Sequence, residues 1–188
     1  MSGWESPSDG AAATLAACLS ARVPELDTPR LRLRAPRIED FATYAGIVMS
    51  ERGIHVGGPM SREAAWLDFT QMVAGWLLRG YGLWSIERRS DRALVGFLPL
   101  NHEAGDPEPE LGWFLAAAAE GQGYAREAAT AARAYADRCL GLAQLVSYIA
   151  PENARSIRLA EAIGAIGEGP VAGDDTLVFR HLPVRGRA

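Results

Sequence analysis

Glu110-Leu111-Gly112-Trp113-Phe114-Leu115, followed after a four-residue linker by Glu120-Gly121-Gln122-Gly123-Tyr124-Ala125-Arg126-Glu127-Ala128, is the stretch on which the fold turns. The first six residues read as a half-buried strand whose alternation sets Glu110, Gly112 and Phe114 on one face. Beyond the linker, Gly121 and Gly123 open an alanine-rich helix expected over residues 122–140 and closed by Gly141. A helix that starts with Gly123 and Ala125 carries backbone N–H groups without intrahelical partners at the positive end of its dipole, and no bulky side chain screens them. Such a start is an anion cradle suited to phosphate.

Downstream, residues 144–150 read as a strand, 153–163 as a helix and 175–182 as a last strand. Upstream, residues 83–88 and 93–100 form a hairpin about Ser90-Asp91, and a loop rich in Gly, Pro and acid fills 101–109. Before the hairpin come helices over 40–49 and 62–79, the second capped by Ser61, with the glycine-containing break 53–59 between them. Arg30-Leu31-Arg32-Leu33-Arg34 alternates strictly, a strand with its leucines inward and its arginines turned to water. Residues 1–27 read as an N-terminal appendage holding a short helix at 11–22, with disorder expected in part of it. A single domain is expected over 28–183 and a tail over 184–188. The order of elements predicts an α+β, α/β-layered fold around a mixed sheet.

A chain of 188 residues suits one domain. Nineteen basic against twenty-three acidic residues give a net charge of −4, which disfavours nucleic acid as a partner. No apolar run is long enough to span a bilayer, and the apolar segment 11–19 follows Glu5 and Asp9 rather than basic residues, so neither a membrane partner nor a signal peptide is expected and the cytoplasm is the default compartment. Cys18 and Cys139 make no disulfide framework and no metal spacing, and are expected as buried, reduced thiols. Three scattered histidines likewise lack ligand spacing, so no metal is expected.

Two glycines at a helix start can do no more than permit a tight turn. Here no Lys-Ser or Lys-Thr follows them, against a nucleoside-triphosphate loop, and no third spaced glycine supports a dinucleotide fold. Read with three other segments, they are more specific. Thr28-Pro29-Arg30-Leu31-Arg32-Leu33-Arg34, Val95-Gly96-Phe97, the opening stretch itself, and Pro151-Glu152-Asn153-Ala154-Arg155-Ser156-Ile157-Arg158-Leu159-Ala160-Glu161 together resemble the GCN5-related N-acetyltransferases (GNAT), within them the ribosomal-protein N-terminal alanine acetyltransferase branch. The resemblance runs from about Leu26 to about Arg180.

It implies a mixed, mostly antiparallel six- or seven-stranded sheet splayed at its centre, with helices on both faces. It also implies acetyl-coenzyme A as co-substrate, with the diphosphate on the amides of Gly121, Gln122, Gly123, Tyr124 and Ala125. The pantetheine arm would lie in a V between the strand at Phe114 and Leu115 and the strand 144–150, with Asn153 reaching the arm and Ser156 beside the thiol. Asn153 and Ser156 also suit helix capping. Two departures stand out. The family usually has Gln or Arg where Glu120 stands, and an acid beside a diphosphate is electrostatically unfavourable unless it points away. Gly164-Ala165 replaces a common Gly-Phe, which is expected to affect packing.

Acyl transfer to an amine needs a neutral nitrogen. At pH 7 roughly a tenth of an α-amino group is neutral, but only about one lysine in two thousand. Glu110 is the leading candidate base, with His102 and Glu103 as rivals from the next loop and a solvated carboxylate as the plain alternative. A backbone N–H near Phe114 or Leu115 would meet the oxyanion. Where the family often has a tyrosine as acid for the thiolate, this chain has Leu159 and Ala160, and Ser156 is a poor acid, so the donor stays open. The acceptor is a primary amine, either a small molecule or a protein N-terminus, selected by loops 53–59 and 101–109; a homodimer is left open. A non-catalytic acyl-coenzyme A sensor is the alternative, with Glu120 and the absent tyrosine as marks of lost turnover. Trp76 is expected in the core, with Trp66 and Trp84 open between core and groove.

Overall fold

The computed structural model describes residues 3–183; the tail expected at 184–188 lies outside them. Helix α1 (Gly10–Ser20) leads into β1 (Leu26–Asp27) and β2 (Leu31–Arg34). Then come α2 (Phe41–Val48), a turn of 3-10 helix at Glu51–His55, and α3 (Arg62–Leu78), which Ser61 caps by accepting from the Ala64 N–H at 3.1 Å. Strands β3 (Leu83–Arg88), β4 (Leu94–Asn101), β5 (Glu110–Leu111) and β6 (Phe114–Leu115) precede α4 (Tyr124–Arg138), β7 (Val146–Ile149), α5 (Ala154–Ala162), β8 (Ala165–Pro170) and β9 (Leu177–His181). No described helix is long and apolar enough to cross a membrane.

The sheet runs β1-β2-β3-β4-β5-β7-β9-β8, with β6 also beside β4, and every pairing but β5 with β7 is antiparallel. The α+β class with a mixed, mostly antiparallel sheet is as expected; among the described residues nine strands replace the six or seven. The expected strand at 110–115 is present in two pieces that keep one register with β4, Leu100 opposite Leu111 and Phe97 opposite Phe114. Pro99 interrupts the ladder because it has no N–H, although its carbonyl still accepts from Gly112 N–H at 2.9 Å. A Cβ at position 112 would sit 2.8 Å from the Pro99 ring, which is why glycine stands there. Strand β8 had no signal of its own, since Gly167 and Gly169 erase any alternation; β9 holds it in place with a register shift between those glycines.

Helices cover both faces. On one, Ala128, Ala129, Ala132 and Ala136 of α4 are fully buried against Leu31, Leu33, Trp84 and Ile86, small residues that let the helix lie close to the sheet. On the other, α2 and α3 bring Tyr44 edge-on to Phe97 and Phe114 and Phe69 edge-on to Phe97, with Phe41 tilted against Phe69 behind them. Each such ring contributes about 1.5–3 kcal/mol by leaving water. Trp84 is wholly buried, donating to Pro24 O at 2.8 Å, and Trp76 packs on it. Trp66 belongs to the Phe41 cluster, so both tryptophans left open are packing residues.

Three expectations fail here. Arg34 does not meet water: its side chain is buried and forks onto Asp40 at 2.7 and 3.0 Å and onto Glu87 at 2.9 Å. Strand alternation says which face a side chain takes, not what later segments lay over that face. Arg30 likewise is engaged rather than merely solvated, as the site shows. Cys18 and Cys139 are free but exposed, because α1 buries none of its residues and Cys139 lies at the C-cap of α4.

Candidate active site

β5 touches β7 at one pair, Glu110 opposite Val146. Two side-chain hydrogen bonds also join the two strands, from Ser147 Oγ to the Leu111 carbonyl and from Tyr148 N–H to the Glu110 carboxylate. The ring of His181 meets Ser147 Oγ at 2.9 Å. Burial, with the Arg133 charge, pushes His181 down to about 4, so the ring is uncharged at neutral pH, and because the Ser147 hydroxyl gives its proton to Leu111 O, the tautomer that fits has Nε2–H donating to that hydroxyl. Past this rivet, β6 stays with β4 while β7 pairs only with β9, and the sheet parts into a V. Gly112 and Ala116 send their N–H groups to β4, so the alternation of a strand turns the N–H groups of Trp113 and Leu115 toward the opening and that of Phe114 toward β4.

The V is the floor of a cleft of about 640 Å³. At its outer end Gly121 (φ +74) and Gly123 (φ +78) both take the left-handed conformation, Gly123 as the N-cap of α4. The N–H groups of residues 121 to 125 donate to no protein acceptor among the described residues. Arg30 braces this loop from behind: Nη1 donates to Gln122 O at 2.9 Å, Nε to Glu127 at 2.7 Å, and its guanidinium covers the ring of Tyr124 at 4.8 Å. The side chain of Gln122 folds back onto Ala118 O at 2.9 Å. Free amides, a left-handed glycine start and an unpaired strand edge in one cleft fit a coenzyme A molecule.

Glu120 does point at cations. One carboxylate oxygen accepts from Arg52, on the turn after α2, and the other from Arg155, on the first turn of α5, at 2.9 Å. Burial pushes this carboxyl up, yet the two arginines outweigh it and hold it below the usual glutamate range. Asn153 caps α5, accepting from Ser156 N–H at 3.2 Å, and Ser156 Oγ accepts from Trp113 Nε1 at 3.3 Å, so both line the cleft while serving the helix start.

At the inner end, Glu110 accepts a single hydrogen bond among the described residues, from Tyr148 N–H at 3.2 Å. Burial of its carboxyl, with smaller contributions from Asp106 and Glu103, pushes it up to about 7. Tyr148 lines the same wall, its hydroxyl buried and without a partner among the described residues, its phenol raised by burial and by Glu108, Asp106 and Glu110. Leu159 lines the cleft and Ala160 is buried, leaving no hydroxyl at either position.

The cleft thus brings together Glu110, Phe114, Leu115, Gly121, Gly123, Tyr124, Ala125, Asn153 and Ser156. It leaves His102 aside: that ring is tied to the Asp106 carbonyl at 2.9 Å and shapes the loop. Glu103, raised by burial and by Asp68 and Asp106, accepts from Asn101 at 2.7 Å. Arg155 stood inside the segment 151–161 with no role assigned to it, while Tyr148 and Arg52 carried no motif; Tyr148 had one local signal, two residues past Val146 on one face of β7.

The family model of the acetyltransferase (GNAT) domain matches residues 30–166. The Bacillus subtilis (strain 168) protein YkkB is 32% identical over 149 residues, 74% of this chain and 84% of its own length. An acetyltransferase from Agrobacterium tumefaciens str. C58 is 38% identical, with 85% of this chain and 94% of that one covered at a TM-score of 0.80. RimL, a ribosomal-protein α-N-acetyltransferase solved in complex with coenzyme A, shares the fold at 18% identity, with 85% and 98% covered and a TM-score of 0.69. With the parted sheet, the cradle and the family match over most of its length, this chain belongs to the GNAT acetyltransferases and is an acyltransferase.

Proposed function

We propose that the protein moves the acetyl group of acetyl-coenzyme A to a primary amine, of a small molecule or a protein N-terminus, by direct attack with Glu110 as the base. The observation that carries this reading is Glu110 itself, a carboxyl pushed up to about 7 where the two strands part. A base is most effective when its pKa lies near the working pH, and this one is close to half-ionised there. The acceptor arrives mostly as an ammonium, and Glu110 takes the proton that must leave before or during attack.

Bound acetyl-coenzyme A supplies the acetyl thioester. The amides of residues 121 to 125 hold its diphosphate, and Asn153 and Ser156 face its arm. The outward N–H groups of Leu115 and Trp113 are donors for the arm and for negative charge developing on the acyl oxygen.

The test is release of free thiol from acetyl-coenzyme A with a panel of amines, for the wild type and Glu110→Gln. Glu110→Gln is expected to keep coenzyme binding, to slow transfer about tenfold with an α-amine and further with lysine-like amines, and to remove the limb of the pH profile near 7. An unchanged rate across pH would remove Glu110 as the base.

A further inference from the structure

The carboxylate of Glu120 directly precedes five amides that have no acceptor among the described residues, and a negative charge there opposes an anion bound to them. It is not idle there. It spans the cleft from wall to wall, from Arg52 on the Glu51–His55 turn to Arg155 on α5, and His55 of the same turn reaches toward Glu152 at 3.9 Å, across the same gap. The turn that carries Arg52 is itself fixed: a Cβ at Gly53 would meet the backbone of Val48 at 2.6 Å, so the turn lies flat on the end of α2. Both arginines line the cleft.

The side chains of Arg52, Arg155 and Glu120 are 41%, 64% and 27% exposed. Ion pairs this open to water hold weakly, and their partners exchange at small cost. A diphosphate offers more charge and more acceptor oxygens than one carboxylate, and guanidinium groups match phosphate geometry well.

Resting on acetyl-coenzyme A as the ligand of the cradle, we infer that Glu120 is an internal stand-in for the diphosphate. It holds Arg52 and Arg155 at the cradle in the coenzyme-free protein and yields them to the diphosphate on binding. Arg52 and Arg155 are then cationic ligands for the nucleotide end of the coenzyme, and Glu120 sets the affinity by competing for them. Because Arg52 sits on the turn that also brings Ile54, His55 and Val56 to the cleft, the exchange joins the coenzyme to the opposite wall.

Calorimetric titration with coenzyme A and with pantetheine, which lacks the diphosphate, tests this on the full chain, with thermal unfolding as a check on each variant. Glu120→Gln is expected to bind coenzyme A about tenfold more tightly, the scale of two exposed charge contacts, and pantetheine unchanged. Arg52→Ala and Arg155→Ala are expected to weaken coenzyme A binding by up to about tenfold each, again with pantetheine unchanged, and the triple variant to lose the gain. Equal or weaker coenzyme A binding by Glu120→Gln, or an equal gain for pantetheine, overturns the inference while leaving the acetyl-coenzyme A reading intact. Failure of the wild type to bind coenzyme A at all overturns that reading, and this inference with it.

Discussion

Asp40 and Glu110 are both carboxylates held away from water, and the molecule treats them in opposite ways. Asp40 receives a forked pair of bonds from Arg34, the hydroxyl of Ser85 at 2.7 Å and the amide of Arg37 at 2.8 Å. Burial pushes it up, but those donors prevail and its pKa lies below the usual aspartate range. Glu110 has one amide at 3.2 Å and no cation, so burial prevails and its pKa rises to about 7. The contrast separates a group that ties elements together from one kept poised to change its protonation state. Donor count, rather than depth, decides which is which.

The largest effect should come from breaking the satisfied site. Arg34→Ala leaves Asp40 and Glu87 buried without their cation, and such losses cost about 3–5 kcal/mol. Urea unfolding should show that drop, while Arg34→Met, which fills the space but also strands the acids, should recover little of it. A loss below about 1 kcal/mol would mean that water reaches the pair. The sign of the pH dependence follows from Asp40 being lowered: its contribution is present above the ordinary aspartate value and is lost as pH falls through its folded value.

Glu110 should behave in the reverse sense. Its folded pKa is raised, so its folded state is favoured below the ordinary glutamate value, and that advantage is lost as pH rises to about 7. Glu110→Gln removes the charge that must be buried and should stabilise the fold by up to about 3 kcal/mol at pH 8, with little change at pH 4. Thermal unfolding at the two pH values measures this independently of activity. Stability unchanged at both would show a well-hydrated carboxylate and would weaken its assignment as base.

The same difference between local and assembled properties governs how far the sequence could be read. The cradle was legible because Gly121, Gly123 and the alanines after them act through their own backbone and size. Glu110 was legible as a face of a strand, but its raised pKa was not, since it depends on β7 and on the loop holding Asp106 and Glu103. Glu120 read as a misfit because its two partners stand 68 residues before it and 35 after it, and no spacing rule links them. Arg34 was misjudged for the same reason, and β8 escaped because its pairing comes from β9 rather than from its own glycine-broken pattern.

The smallest effect divides the comparison within one side chain. Asn153 spends its carbonyl oxygen on the Ser156 N–H at 3.2 Å, a satisfied structural bond, while its amide group donates to nothing among the described residues and faces the cleft. Asn153→Ala should cost about 1 kcal/mol of stability through the lost cap. Asn153→Ser keeps a capping oxygen and should leave stability within a few tenths of a kcal/mol, yet it removes the amide donor. If that donor reaches the coenzyme arm, both variants should weaken pantetheine binding about fivefold, one neutral hydrogen bond's worth. If Asn153→Ser binds pantetheine as the wild type does, Asn153 is a cap alone, and the unspent amide marks no function. Glu110 would then be the clearer case of a polar group left short of partners for chemistry.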